Sequence, residues 1–180
     1  GGQETVLSLR LMPEPFKPGP HSGQAIPGAN DPARWRAMVS EGGKCRIVRD
    51  GASVTVEAEP AGTDRWVYPA LALDAAERPS AKMRALAVTL TWLEGAGQCR
   101  AIFDEANGSS YVADLAPLPK RGEAIETLAL LQGATHGAEW SKPDANGRLD
   151  PDQITSLKIG CNTKDSRVKF TIQALRWIEW

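Results

Sequence analysis

The sequence predicts an all-β fold, a two-sheet antiparallel β-sandwich of the jelly-roll type with about ten strands and an irregular N-terminal wrap. Three observations predict it. Short runs alternate apolar and polar residues with a period of two, as Ser53, Thr55 and Glu57 do against Val54, Val56 and Ala58. Tight-turn sequences such as Gly95-Ala96-Gly97 and Ala106-Asn107-Gly108 separate the runs. No long stretch carries the helical period, which favours a sandwich or barrel over an α/β fold.

The elements follow in order. Pro13 to Pro32 holds six prolines, a composition that disfavours both helix and interior strand. Residues 1–33 are therefore expected to be an irregular segment packed on the domain, and residues 34–180 to form the sandwich. Strands are predicted over Arg34–Ser40, Lys44–Arg49, Ser53–Ala58, Arg65–Leu73, Lys82–Leu93, Gln98–Glu105, Ser109–Leu115, Ala124–Leu131, Ile154–Asn162 and Arg167–Glu179. Two helical turns are expected. One covers Leu73–Glu77, and the other follows Asp150, where an N-cap aspartate and Pro151 form a start signal.

Composition narrows the function. The 180 residues carry a formal net charge of −1 at pH 7, so neither nucleic acid nor an anionic membrane is expected as a partner, since both call for a basic surface. No apolar run approaches membrane-spanning length. No signal peptide is visible, and the Gly1-Gly2 start reads as a processed or trimmed end. Cys45, Cys99 and Cys161 show no metal-ligand spacing and read as small buried strand residues; at most one intramolecular disulfide can join them.

Side-chain alternation says which residues face outward. Leu86, Val88, Leu90 and Trp92 share one register and read as core. In Arg65–Leu73 the inward set is Val67, Leu71 and Leu73, which turns Trp66 and Tyr68 the other way. Large aromatics on the solvent-side register need a reason. A flat ring can stack on the C–H face of a pyranose while polar neighbours meet its hydroxyls, the general logic of a few polar groups around an apolar pocket. With Cys99, Ala101 and Phe103 inward, Arg100, Ile102 and Asp104 face outward; Tyr111 and Trp140 are expected to join them. The candidate ligand-binding set is thus Trp66, Tyr68, Arg100, Asp104, Tyr111 and Trp140. The competing reading covers Trp66 and Tyr68 with the proline-rich wrap.

The succession of segments also resembles a known family. A Trp/Tyr strand, a long apolar strand, Arg100–Asp104, a Tyr-bearing strand and a Trp140 loop lead through Leu149-Asp150-Pro151-Asp152-Gln153-Ile154-Thr155-Ser156-Leu157-Lys158-Ile159-Gly160 to a final strand over Val168–Trp177. This resembles the jelly-roll, galactose-binding-like carbohydrate-binding modules attached to glycoside hydrolases and polysaccharide-degrading enzymes. The resemblance implies non-catalytic polysaccharide or oligosaccharide binding, a covalently linked catalytic module, a monomeric state and a secreted, extracellular setting. Such modules often place an aspartate in the last strand that helps bind a structural calcium; here Ile172-Gln173-Ala174-Leu175 offers an amide oxygen without charge.

Catalytic constellations are thin. His21 and His136 stand beside no evident nucleophile, and carboxylate pairs such as Asp104/Glu105 or Glu126/Glu139 are ones any acidic domain offers. Asp144-Ala145-Asn146-Gly147 departs from the EF-hand spacing. No cofactor is firmly implied, and a structural calcium is left open. Glycan binding is therefore the leading reading. A structural or protein-interaction sandwich comes second, and a jelly-roll lyase or hydrolase third.

Overall fold

The computed structural model describes residues 23–179. Thirteen strands form two antiparallel sheets: β1 Gly23–Ala25, β2 Trp35–Arg36, β3 Lys44–Asp50, β4 Ser53–Glu59, β5 Trp66–Val67, β6 Ala70–Ala72, β7 Ala85–Glu94, β8 Gln98–Glu105, β9 Ser110–Asp114, β10 Ala124–Leu130, β11 Thr135–His136, β12 Ile154–Asn162 and β13 Val168–Ile178. Sheet I runs β10-β7-β13-β4-β3, with β1 also on β13. Sheet II runs β11-β9-β8-β12-β6-β2, with β5 also on β12. Every helical element among the described residues is a single 3-10 turn, including Ala75–Glu77 and Pro151–Gln153, where the sequence places them. No helix among these residues is long and apolar enough to cross a membrane.

The alternation rule places the core. Leu86, Val88, Leu90 and Trp92 of β7 face Cys99, Ala101 and Phe103 of β8 across the sandwich, and all are buried. Trp92 stacks on Phe170 with ring centroids 5.2 Å apart. Trp177 is fully buried, tilted against Phe103 from the opposite sheet, and its indole N–H donates to the Glu77 carbonyl at 2.8 Å. A wide indole inside a sandwich is tolerated because its one polar atom has a partner. β13 holds its inward register over eleven residues only by a bulge at Gln173, which lets Ile172 and Leu175 both face the core.

Two sequence expectations change in detail. Arg65–Leu73 divides at Pro69, yet Trp66–Val67 and Ala70–Ala72 keep one register against β12 on both sides of it. Proline supplies no N–H to the ladder, so the pairing breaks without the alternation breaking. The Arg34–Ser40 strand shortens to Trp35–Arg36, though Tyr68 N–H still donates to Met38 and Ser40 N–H to Trp66, both at 3.0 Å. Residues 1–22 of the expected wrap, with His21, lie outside the described residues. Residues 23–33 are more ordered than expected: β1 pairs with Arg176–Ile178, and two 3-10 turns follow. This segment seats on sheet I, not on Trp66 and Tyr68.

One buried carboxylate fastens that segment. Glu77 accepts from both terminal nitrogens of Arg34, at 2.9 and 2.8 Å, and from the Gly28 and Asp74 amides at 2.9 and 3.1 Å. The Arg34 hydrogen bonds, aided by the two amides, hold the Glu77 carboxyl below the usual carboxylate range against the opposing effect of burial. Gly28 is required here, because a Cβ would lie 1.6 Å from the Arg34 guanidinium. A lowered carboxylate pKa contributes stability above its unfolded value of about 4.3 and loses it as pH falls through the folded value. Urea midpoints measured from pH 7 down to pH 3 should therefore fall less steeply in Glu77→Gln than in the parent, with the variant weaker at pH 7.

Candidate functional site

The outer face of sheet II is built by the alternation of its central strand. Leu157, Ile159 and Cys161 of β12 point into the core, so Lys158, Gly160 and Asn162 point outward. Trp66 and Tyr68 lie beside them on one side; Arg100 and Ile102 of β8, then Val112 of β9, lie on the other. Together these side chains floor a groove of about 430 Å³, with Met38 and Asp64 at one rim and Trp140 at the other.

Gly160 makes the geometry possible. It stands where Tyr68 crosses β12, and a Cβ there would lie 1.8 Å from the Val67 carbonyl oxygen and 3.0 Å from the Tyr68 Cα. The close approach seats the Tyr68 ring in the groove floor, 6.3 Å from Trp66 and tilted by 34°. Its hydroxyl donates to Asn162 Oδ1 at 2.6 Å, and burial raises its pKa, so it stays a protonated donor.

The charged groups are already paired. Lys158 Nζ lies 2.6 Å from Asp104 Oδ1, with both side chains mostly buried. Arg100 donates through Nε to Asp114 at 3.0 Å and through Nη2 to Gln98 at 2.6 Å. Each cation therefore carries its own carboxylate, and Asp64 adds a further one at the rim. The groove is close to neutral.

Trp140 is held from two sides. Its indole packs over Gly137, where a Cβ would meet the ring at 2.3 Å. Lys158 Nζ sits 5.9 Å from the ring centroid, within cation–π range. The side chain remains 54% exposed, a large indole positioned but not covered.

Set against the expected residues, the structure brings Trp66, Tyr68, Arg100 and Trp140 to one groove. Tyr68 is buried within it and is not an open platform. Asp104 shares the outer face but does not line the groove; Ser110 and Ser156 hydroxyls donate to it at 2.7 and 2.8 Å beside Lys158, so it positions the lysine. Tyr111 is a correction. It lies opposite Phe103 in register, faces inward at 1% exposure, packs on His136 and donates its hydroxyl to Asp144. The residue of β9 that shares the register of Ile102 is Val112. Lys158 and Asn162 were missed, although the inward run Leu157, Ile159, Cys161 would have turned both outward.

Catalytic alternatives find no arrangement among the described residues. His136 does have a hydroxyl beside it, unlike the sequence expectation: Ser141 Oγ is 3.2 Å from Nε2. That nitrogen also lies 3.0 Å from the Lys142 carbonyl, which can only accept, so Nε2 carries the proton. The Ser141 proton goes to the Gly137 carbonyl. This is a hydrogen-bonded turn and not a base facing a nucleophile. Glu126 is held by Arg176 and Glu105 is buried under Ser109, Asn107 and the Asp150 amide. Neither lines the groove.

The donor set near the last strand is poor in charge. Gln173 Oε1 and Asn30 Oδ1 are buried and without a hydrogen-bond partner. Both are neutral, and no group of three His, Cys, Asp or Glu converges among the described residues. A calcium shell of six to eight oxygens leans on carboxylates, so these residues do not fit one.

No protein-family model matches the chain, and no curated protein matches it by sequence. Its architecture is that of the jelly-roll β-sandwiches of carbohydrate-binding modules. The family 11 carbohydrate-binding module of the cellulosomal cellulase Lic26A-Cel5E of Clostridium thermocellum aligns at a TM-score of 0.69 and 15% identity, covering 90% of this chain and 97% of that one. A family 11 module from Clostridium thermocellum in complex with a β-1,3-1,4-mixed-linked tetrasaccharide aligns at 0.67 and 15%, covering 87% and 95%. An agarase aligns at 0.59 and 10%, covering 87% of this chain but 25% of its own. At these identities the likeness establishes the fold.

Two measurements check the site. Gly160→Ala should lower unfolding free energy by about 3 kcal/mol or more, because backbone must move to admit the methyl group; urea denaturation reads it. Excess EDTA should leave the melting temperature unchanged, whereas a fall would show a bound cation.

Proposed function

We propose that the chain is a non-catalytic module that binds a neutral polysaccharide along the groove of sheet II. The observation that carries this reading is the pair of indoles, Trp66 and Trp140, lining one groove together with Asn162, Arg100 and Lys158 as hydrogen-bonding groups. Stacking surfaces with directional partners between them match the apolar faces and peripheral hydroxyls of a sugar chain. Trp140 is exposed, and Trp66 is half-buried like Arg100, Lys158 and Asn162.

Charge selects the class of glycan. Arg100 and Lys158 are each neutralised by a carboxylate, and Asp64 stands at the rim. A uronate-bearing polymer would bring a charge without a free cation to meet it and would face Asp64. A neutral polymer has no such cost. The family 11 module solved with a β-1,3-1,4-mixed-linked tetrasaccharide supports glycan binding by analogy of fold. The same reading implies an extracellular setting and a catalytic module on the same polypeptide, held near its substrate by a monomeric binding unit.

Affinity electrophoresis tests it directly. Migration should be retarded in gels containing a neutral polysaccharide such as mixed-linked β-glucan, hydroxyethylcellulose or agarose, and not by alginate or polygalacturonate. Trp66→Ala and Trp140→Ala should each weaken binding by about 1–2 kcal/mol, roughly 5- to 30-fold. Retardation unchanged in both variants, or confined to the anionic polymers, would reject the groove as the site.

A further inference from the structure

Directly beneath the groove floor, two thiols lie in a position with no part in glycan binding. Cys99 of β8 and Cys161 of β12 are register partners, both buried and both pointing inward, next to Arg100 and Asn162 on the outward register. Opposed residues of an antiparallel pair alternate between a wide, hydrogen-bonded position and a narrow one without those bonds, with Cα atoms about 5.5 and 4.5 Å apart.

The backbone settles which position this is. The Cys99 carbonyl accepts from Leu115 N–H of the segment following β9, at 3.0 Å, so its backbone groups point away from β12. On β12 the amides of Ile159 and Thr163, two residues to either side of Cys161, donate to Pro69 and Arg65 at 3.3 and 2.9 Å, so that register points away from β8. Cys99 and Cys161 therefore occupy a narrow position. Cα separations of about 4.4–6.8 Å accept a disulfide. The third thiol, Cys45, lies on β3 of sheet I, opposite Ala58.

We propose that Cys99 and Cys161 form a cross-strand disulfide when the chain folds in an oxidising compartment, leaving Cys45 as the free thiol. With a small-molecule disulfide such as oxidised glutathione as oxidant, one cysteine thiolate displaces a first glutathione and forms a mixed disulfide. The second thiolate then attacks the protein sulfur of that bond and releases the other glutathione. The two cysteines lose two electrons and two protons, and one glutathione disulfide becomes two glutathione thiols. Burial pushes both native thiols up to about 12, so the folded, reduced pair presents little thiolate. The bond forms as β8 and β12 come together, before the core closes over it.

The test uses the unmodified chain, unfolded and refolded with reduced and oxidised glutathione at pH 8, then denatured in acid and alkylated. Mass spectrometry should find one alkylated cysteine, Cys45, in a chain about 2 Da lighter than a reduced chain bearing the same single alkyl group, and a peptide joining Cys99 to Cys161. Reduction of that product should lower the melting temperature by roughly 10 °C, the scale for a bond closing a loop of about sixty residues in a domain of this size. Three alkylated cysteines in refolded protein with a native circular dichroism spectrum would overturn the proposal. So would a bond that includes Cys45. Cys45→Ser should keep the link, while Cys99→Ser should leave Cys45 and Cys161 unlinked; a Cys45–Cys161 bond in the parent chain would show that proximity, not register, selects the partner.

Discussion

The structure depends on the strict two-residue alternation of β12, which is paired along both edges in the sheet that carries the groove. Leu157, Ile159 and Cys161 go to the core while Lys158, Gly160 and Asn162 go to the groove, and no single-residue slip preserves both sets. Everything on the outer face takes its register from this strand. Trp66 and Tyr68 are placed by one flank, and Arg100 and Ile102 by the other. The missing side chain at Gly160 is as much part of the pattern as the ones present, since it lets the Tyr68 backbone come close enough for the ring to reach the floor.

Packing and electrostatics in the groove work toward rigidity. Lys158 cannot swing freely, because Asp104 is itself anchored by two serine hydroxyls. Arg100 is tied to β9 through Asp114. Tyr68 and Asn162 satisfy one another. A surface whose polar groups are fixed before a ligand arrives loses less conformational freedom on binding than one that must order itself.

Much of this was legible in the residues. β8 and β12 have the spans that alternation and turn residues predict, and the 3-10 turns at Ala75–Glu77 and Pro151–Gln153 fall where helical turns are expected, the second led by Pro151 without a side-chain bond from Asp150. The inward and outward sets of β7, β8 and the Trp66–Leu73 segment follow from period alone. What failed has physical reasons. Tyr111 was grouped with the outward residues by its chemistry, when its register opposite Phe103 decides otherwise. Trp140 was named and does line the groove, but it belongs to a loop, where no period exists, and its placement rests on Gly137 and Lys158, contacts far from obvious in a linear string. β1 and β11 are too short to show any alternation.

β13 is bordered along one edge by two different strands. β4 covers Val168–Ile172 and β1 covers Arg176–Ile178, so Gly23 and Ile178 are register partners. Polypeptide arriving at β1 and polypeptide leaving β13 thus meet at neighbouring points on sheet I, while the groove opens from sheet II. The outer ends of the first and last described strands therefore share one corner of the sheet that does not carry the groove.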